Sequence, residues 1–247
     1  MLAVGFALLW LRQLRTRDAT SVDAAWALSI AGLAAVYAAF GDGDPARRLL
    51  VAALAGAWGL RLAGHLLLDR VFSDTAEEDG RYRALREHWG ARANAWLFLL
   101  YQGQAAVAVL CSLPLIGAMQ GGPLDGWAAA GAGLWLVALT GEAIADRQLA
   151  RFRADPANRG RVCREGLWRY SRHPNYFFEW LHWWAYVLIG HGAPLTWLGP
   201  AVLLAFLFRI TGIPYTERQA LRSRGEAYRE YQRTTSVFVP LPPRSPR

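Results

Sequence analysis

The chain has 247 residues, of which 54% are hydrophobic and 13% aromatic but only 19% charged, against about 25% charged in an ordinary soluble domain. Its apolar runs alternate with arginine-rich patches, which excludes a disordered chain, a soluble β-sandwich and a disulfide scaffold. Net charge is +8 and all 27 basic residues are arginine, so chemistry that needs a lysine, such as a Schiff base or a phosphate-binding P-loop, is excluded as well.

A membrane span needs roughly 20 apolar residues. Seven segments are candidates in chain order: 2–11, the shortest; 22–40; 49–68, apolar apart from Arg61 and His65; 94–119, where Pro114 allows a tilt or a break; 127–145; the aromatic-rich 176–190; and 195–213. A cytoplasmic helix over 216–233 follows. The fold expected is therefore all-α: a polytopic integral membrane protein, one domain, seven transmembrane helices. Twelve tryptophans fit interfacial aromatics. The odd-numbered gaps between spans hold 3, 5, 8 and 7 arginines and the even-numbered gaps 2, 0 and 0. The positive-inside rule then puts the N-terminus outside and the C-terminus in the cytoplasm. No basic stretch precedes the apolar start, so no cleaved signal peptide is expected. In a membrane protein this basicity reads as inside loops plus an anionic ligand, not as nucleic-acid binding. Cys111 in a span and Cys163 in a loop are not expected to pair, and no metal-ligand spacing surrounds them.

Polar groups inside spans are costly and mark function by default. The second span opens with Asp23 and Trp26. In the third, Arg61, His65 and Asp69 fall at i, i+4 and i+8, either a self-neutralising structural set or a proton-handling one with Asp69 orienting His65. The fifth span runs out as Glu142, Asp146, Leu149 and Arg153 on one face. Carboxylates there suit ribose hydroxyls or an amide, and Arg153 a phosphate; an ordinary charged helix surface is the plainer reading. The sixth span carries Asn175, Glu179, His182 and Tyr186 at i, i+4, i+7 and i+11, among Phe177, Phe178, Trp180, Trp183 and Trp184. That stripe faces either a ligand cavity or another helix. Its entry reads Tyr170-Ser171-Arg172-His173-Pro174-Asn175-Tyr176. Pro174 fits the first helical position, and the free N–H groups after it form, with Arg172, an anion-binding end or a bare capping turn. Pro214 should end or kink the seventh span, and Glu217, Ala220, Leu221, Arg224 and Tyr228 share a face of the helix after it. No GxGxxG follows a strand, so a dinucleotide would be held without a Rossmann fold. The arginine-rich end suits a nucleotide-like anion entering from the cytoplasm and a hydrophobic substrate entering from the bilayer.

The stretch Gly166-Leu167-Trp168-Arg169-Tyr170-Ser171-Arg172-His173-Pro174-Asn175-Tyr176-Phe177-Phe178-Glu179-Trp180 resembles the signature of the steroid 5α-reductase-like membrane family, in its bacterial uncharacterised-reductase branch. Asp146-Arg147-Gln148 before it and Pro214, Glu217, Tyr228, Tyr231 and Pro240 after it match as well, and the likeness covers residues 102–243. The family usually has Gly where this chain has Phe178. The resemblance implies a bacterial inner-membrane reductase that uses NADPH to reduce the C=C bond of a lipophilic enone, such as a 3-oxo-Δ4-steroid or an isoprenoid-like compound. It implies cofactor contacts at Asp146, Arg153, Arg161, Asn175, Glu179 and Arg209, with His173 and Tyr176 in the same motif; Arg172 and Glu217 join them on the residue reading. For the family's ketone-polarising pair, Asp23 and His65 stand in by position and chemistry. Membrane lipid is expected as a partner; no nucleic acid, metal or obligate protein partner is. The Arg-His-Pro-x-Tyr element is shared with isoprenylcysteine carboxyl methyltransferases, so an S-adenosylmethionine-dependent membrane methyltransferase is the alternative.

Overall fold

Local signals set where the helices begin. Asp44 caps Pro45 and the following turn through Ala46 N and Arg47 N, Asp79 accepts from Arg81 N, and Asp125 accepts from Ala128 N, each satisfying amides that a helix leaves open at its start. The computed structural model describes residues 1–68, 78–210 and 212–245. Its helices are α1 (Leu2–Thr16), α2 (Ser21–Phe40), α3 (Pro45–Leu66), α4 (Gly80–Trp89), α5 (Ala93–Met119), α6 (Gly126–Ala154), α7 (Pro174–Ile189), α8 (Leu198–Ala205), α9 (Ile213–Arg224) and α10 (Glu226–Thr234), with a π-helical turn over Phe206–Ile210. No strand occurs among the described residues; Ser171 and Ser236 form a single isolated bridge. The all-α expectation holds.

Among the described residues, five stretches are long and apolar enough to cross a membrane: Ser21–Phe40, Pro45–Leu66, Gly80–Met119, Gly126–Ala154 and Pro194–Arg224. The first and sixth expected spans fall short, because α1 has 15 residues and α7 has 16, about 23 Å of helix against a hydrocarbon core of about 30 Å. Pro114 lies inside α5, which runs unbroken. Pro214 stands in the first turn of α9, just past the expected break. The helix expected over 216–233 is two helices, α9 and α10, divided at Gly225, whose φ of +53° is left-handed and costs glycine little.

The chain divides into two compact units, Met1–Leu124 and Asp125–Arg247. In the first, α2 pairs with α3, and α5 packs on α2 and α1 around Phe6, Val22, Leu97 and Tyr101. Arg47, 2% exposed, donates to Gly122 O at 2.8 Å and Pro123 O at 2.9 Å. It is therefore a buried pin on the linker after α5, not a loop charge. In the second unit α6 and α7 run antiparallel: Gly131 meets Ala185 and Ile189, Gly141 meets Phe178, and Asp146 meets Asn175. A methyl on Gly141 would lie 2.5 Å from the Phe178 ring. At this level of the helix pair α6 is small where α7 is large.

This makes Phe178 and Gly141 energetically coupled. Gly141→Ala should destabilise the protein by about 1–3 kcal/mol through overpacking, and by clearly less in a Phe178→Ala background. Thermal unfolding in detergent across the four-variant cycle measures it; additive effects would refute the coupling.

Candidate functional site

Helix α6 presents its polar face to α7 and then runs on beyond it. Glu142 is buried at 6% exposure on the same stripe as Ala138, Gly141 and Ala145. One turn further, Asp146 Oδ1 accepts from Asn175 Nδ2 at 3.1 Å, while Asn175 Oδ1 accepts from Tyr176 N at 3.0 Å. Pro174 occupies the first turn of α7, as its fixed φ favours. A turn above Asn175, the Glu179 carboxylate lies 3.7 Å from His182 Nδ1, which also donates to Glu179 O at 2.7 Å. That carbonyl only accepts, so Nδ1 carries the proton. Tyr186 follows, completely enclosed and facing Trp135 of α6. The stripe read from the sequence therefore faces a neighbouring helix along its inner part and opens at the Asp146–Asn175 end.

Beyond that end lies a cleft of about 300 Å³ lined by Arg153, Arg159, Arg161 and Arg224, with Asp155 the acid among its lining residues. It closes because Arg224 Nε donates to Arg161 O at 2.9 Å, tying α9 to the loop after α6, and Asn158 Nδ2 donates to Phe152 O at 3.1 Å. Four guanidiniums against one carboxylate leave surplus positive charge, the donor set that a phosphate group matches. Arg153 and Arg161 were expected here. Arg159 and Arg224 were not singled out as ligands, since they stand 65 residues apart in sequence and share no periodic face.

Three further expected residues form a different cluster. Arg172 Nε donates to Glu217 Oε1 at 2.6 Å; His173 Nε2 and the Tyr228 hydroxyl lie 3.4 Å from the same oxygen; Gln232 Nε2 donates to Glu217 Oε2 at 2.9 Å. Burial pushes the Glu217 carboxyl up, but hydrogen bonds from His173 and Arg172, the Arg172 charge and the Gln232 amide outweigh it and hold it at about 2. Tyr176 stacks on His173 with ring centroids 5.4 Å apart. Arg209 is exposed in the π-helical turn.

A family model matches residues 9–235 of the chain. The chain belongs to the DUF1295 family. Its description is a protein of unknown function, so kinship is established and activity is not. Comparison with curated proteins and with solved structures finds no match.

The residues proposed for chemistry on the substrate lie in the first unit. Asp23 Oδ1 accepts from the Tyr82 hydroxyl and Oδ2 from Arg81 Nη2, both at 2.6 Å. Burial and the Asp23 charge push the Tyr82 hydroxyl's pKa up. His65 is exposed on α3, and Asp69, its expected partner, lies outside the described residues. Tyr82 was not anticipated; an aromatic after an acidic loop carries no periodic signal.

Because Glu217 is held at about 2 instead of about 4.5, its stabilising contribution is complete above pH 4.5 and is lost as pH falls toward 2. In Glu217→Gln the melting temperature should be lower at neutral pH and fall less steeply across that acid window. Thermal unfolding in detergent as a function of pH measures both, and an acid limb identical to the parent's would rule the pairing out.

Proposed function

We propose that this protein is an integral membrane reductase that uses NADPH to reduce the C=C bond of a lipophilic enone, such as a 3-oxo-Δ4-steroid. The observation that carries the reading is the sequence of groups along one helix. Asp146 meets Asn175 at the open end of the α6–α7 pair, and Arg153, seven residues and about 10 Å further on, lines the arginine cleft. Hydrogen-bonding groups suited to an amide or ribose are followed by cations suited to phosphates, as the two ends of a dinucleotide require. The four-arginine cleft fits the phosphates of NADPH and has no counterpart need in a methyl donor without phosphate, which favours the reductase over the methyltransferase.

NADPH held there would supply the hydride for the β-carbon of the enone, and a proton added at the α-carbon would complete the reduction. The protein's part is positioning and charge stabilisation. Arg153 and Arg161, with Arg159 and Arg224 beside them, hold the phosphates; Asp146, Asn175 and Glu179 orient the amide end, with Tyr176 at the entry and Arg209 as a further cation. The carbonyl oxygen gains negative charge during the reduction and needs a preorganised donor. His65 is the proposed donor, and Asp23, the carboxylate that accepts from Tyr82 and Arg81, is proposed to position groups around the carbonyl. In the same reading the chain makes seven spans in the bacterial inner membrane, N-terminus outside and C-terminus cytoplasmic. The short α7 crosses alongside α6, and Arg47, being buried, adds little to the charge of its gap, which sharpens the arginine asymmetry.

Purified protein in detergent should bind NADPH, seen as a change in nicotinamide fluorescence. Arg153→Ala or Arg161→Ala should weaken binding about ten- to a hundredfold, from charge-assisted bonds of roughly 1.5–3 kcal/mol. Glu179→Gln should lower both turnover and NADPH affinity with the fold intact. Binding of S-adenosylmethionine without NADPH would transfer the site to the methyltransferase class. Reporter fusions at Gln120 and Arg244 should report opposite sides of the membrane; the same side for both would end the topology.

A further inference from the structure

Arg172, His173 and Glu217 belong to the signature region, yet their polar atoms turn inward. Their side chains are 10%, 7% and 15% exposed. Arg172 Nη1 donates to Gln232 O at 3.0 Å and Thr235 O at 2.7 Å, in addition to the Nε bond to Glu217. Three of the five N–H groups of this guanidinium are thus committed to protein acceptors. Arg153 and Arg161, by contrast, are exposed on the cleft wall.

The residues that surround Arg172 show what it holds instead. Its own N–H donates to Ser236 O at 2.8 Å, Ser171 Oγ donates to Phe238 O at 2.7 Å, and Leu241 N donates to Tyr170 O at 3.0 Å. The Tyr231 hydroxyl donates to Ser171 O at 3.1 Å. The Phe238 ring sits edge-on to Phe177, Trp180 and Phe208, with centroids 5.7, 5.6 and 5.4 Å away. The segment 235–241 thus crosses the signature loop and ends its apolar contacts on the first turns of α7. Only two residues, His173 and Pro174, separate Arg172 from Asn175, and Pro174 has a fixed φ. The placing of Asn175 on Asp146 therefore depends on where the loop is fastened.

We propose that Arg172, His173 and Glu217 are positioning residues: with Gln232 and Phe238 they fasten the 235–241 segment across the signature loop and so fix the first turn of α7, and they do not touch the ligand. The proposal rests on reading the Asp146–Asn175 end as the cofactor site, and its structural half stands on the loop alone.

The test uses the full chain in detergent. Hydrogen exchange is followed at Arg172 and Leu241, whose amides report the strap, and at Tyr176 and Phe177, whose amides report the first turn of α7. NADPH affinity and turnover are measured alongside. Phe238→Ala and Glu217→Gln should each accelerate exchange at all four amides and raise KM for NADPH roughly tenfold, with kcat recovered at saturating cofactor. Arg153→Ala should weaken NADPH with exchange unchanged. If Phe238→Ala does not fold, Ser171→Ala removes the strap bond to Phe238 O without loss of a core ring. Two results overturn the proposal: fast strap exchange with an unchanged first turn of α7, or weaker NADPH binding in Glu217→Gln with strap exchange unchanged. If the parent binds no NADPH, the cofactor reading fails by itself, and exchange at Tyr176 and Phe177 still decides whether the strap positions α7.

Discussion

At Gly131 the backbone of α7 comes so near α6 that a methyl group would lie 2.7 Å from Ala185 O, and at Gly141 the same methyl would strike the Phe178 ring. Small residues let two helices approach until their polar side chains share one seam. Everything in the candidate site follows from that approach. It buries Glu142, encloses His182 and Tyr186, and brings Asn175 within hydrogen-bond distance of Asp146. A wider pair would leave the same carboxylates facing lipid, where they are costly.

The arginines divide by what surrounds them. Arg47 and Arg172 are nearly enclosed and donate to backbone carbonyls, so they act as rigid multi-donor staples, a task that suits a planar guanidinium. Arg153, Arg159 and Arg161 stand exposed around a cleft. Arg229 and Arg233 pair with Glu226 on an open helix surface, an arrangement that contributes little to stability. One residue type, used throughout in place of lysine, occupies buried, cleft and open-surface positions at once, and only its surroundings separate them.

Glu217 illustrates how a site and its support are connected. Its carboxylate gathers a guanidinium and an imidazole from the loop before α7, and a phenol and an amide from α10. A carboxylate so satisfied stays ionised at any physiological pH, and the elements it joins become one mechanical piece. The Asp146–Asn175 contact, by comparison, joins α6 directly to the first turn of α7.

The sequence by itself determined the helical class, the long spans, the polar faces of α6 and α7 and the start of α7 at Pro174, because hydrophobic periodicity and capping are local and repeat every few residues. Tertiary structure alone decided which polar residues meet. Gly225 splits the helix expected over 216–233, yet Tyr228 still reaches Glu217 because the chain turns back. Arg224 closes a cleft with residues 63 to 71 positions earlier, Tyr82 finds Asp23 across 59 positions, and Arg172 turns from solvent to the strap. None of these pairings has a period. They are set by where whole helices come to rest, and that depends on packing summed over the chain, not on any window of it.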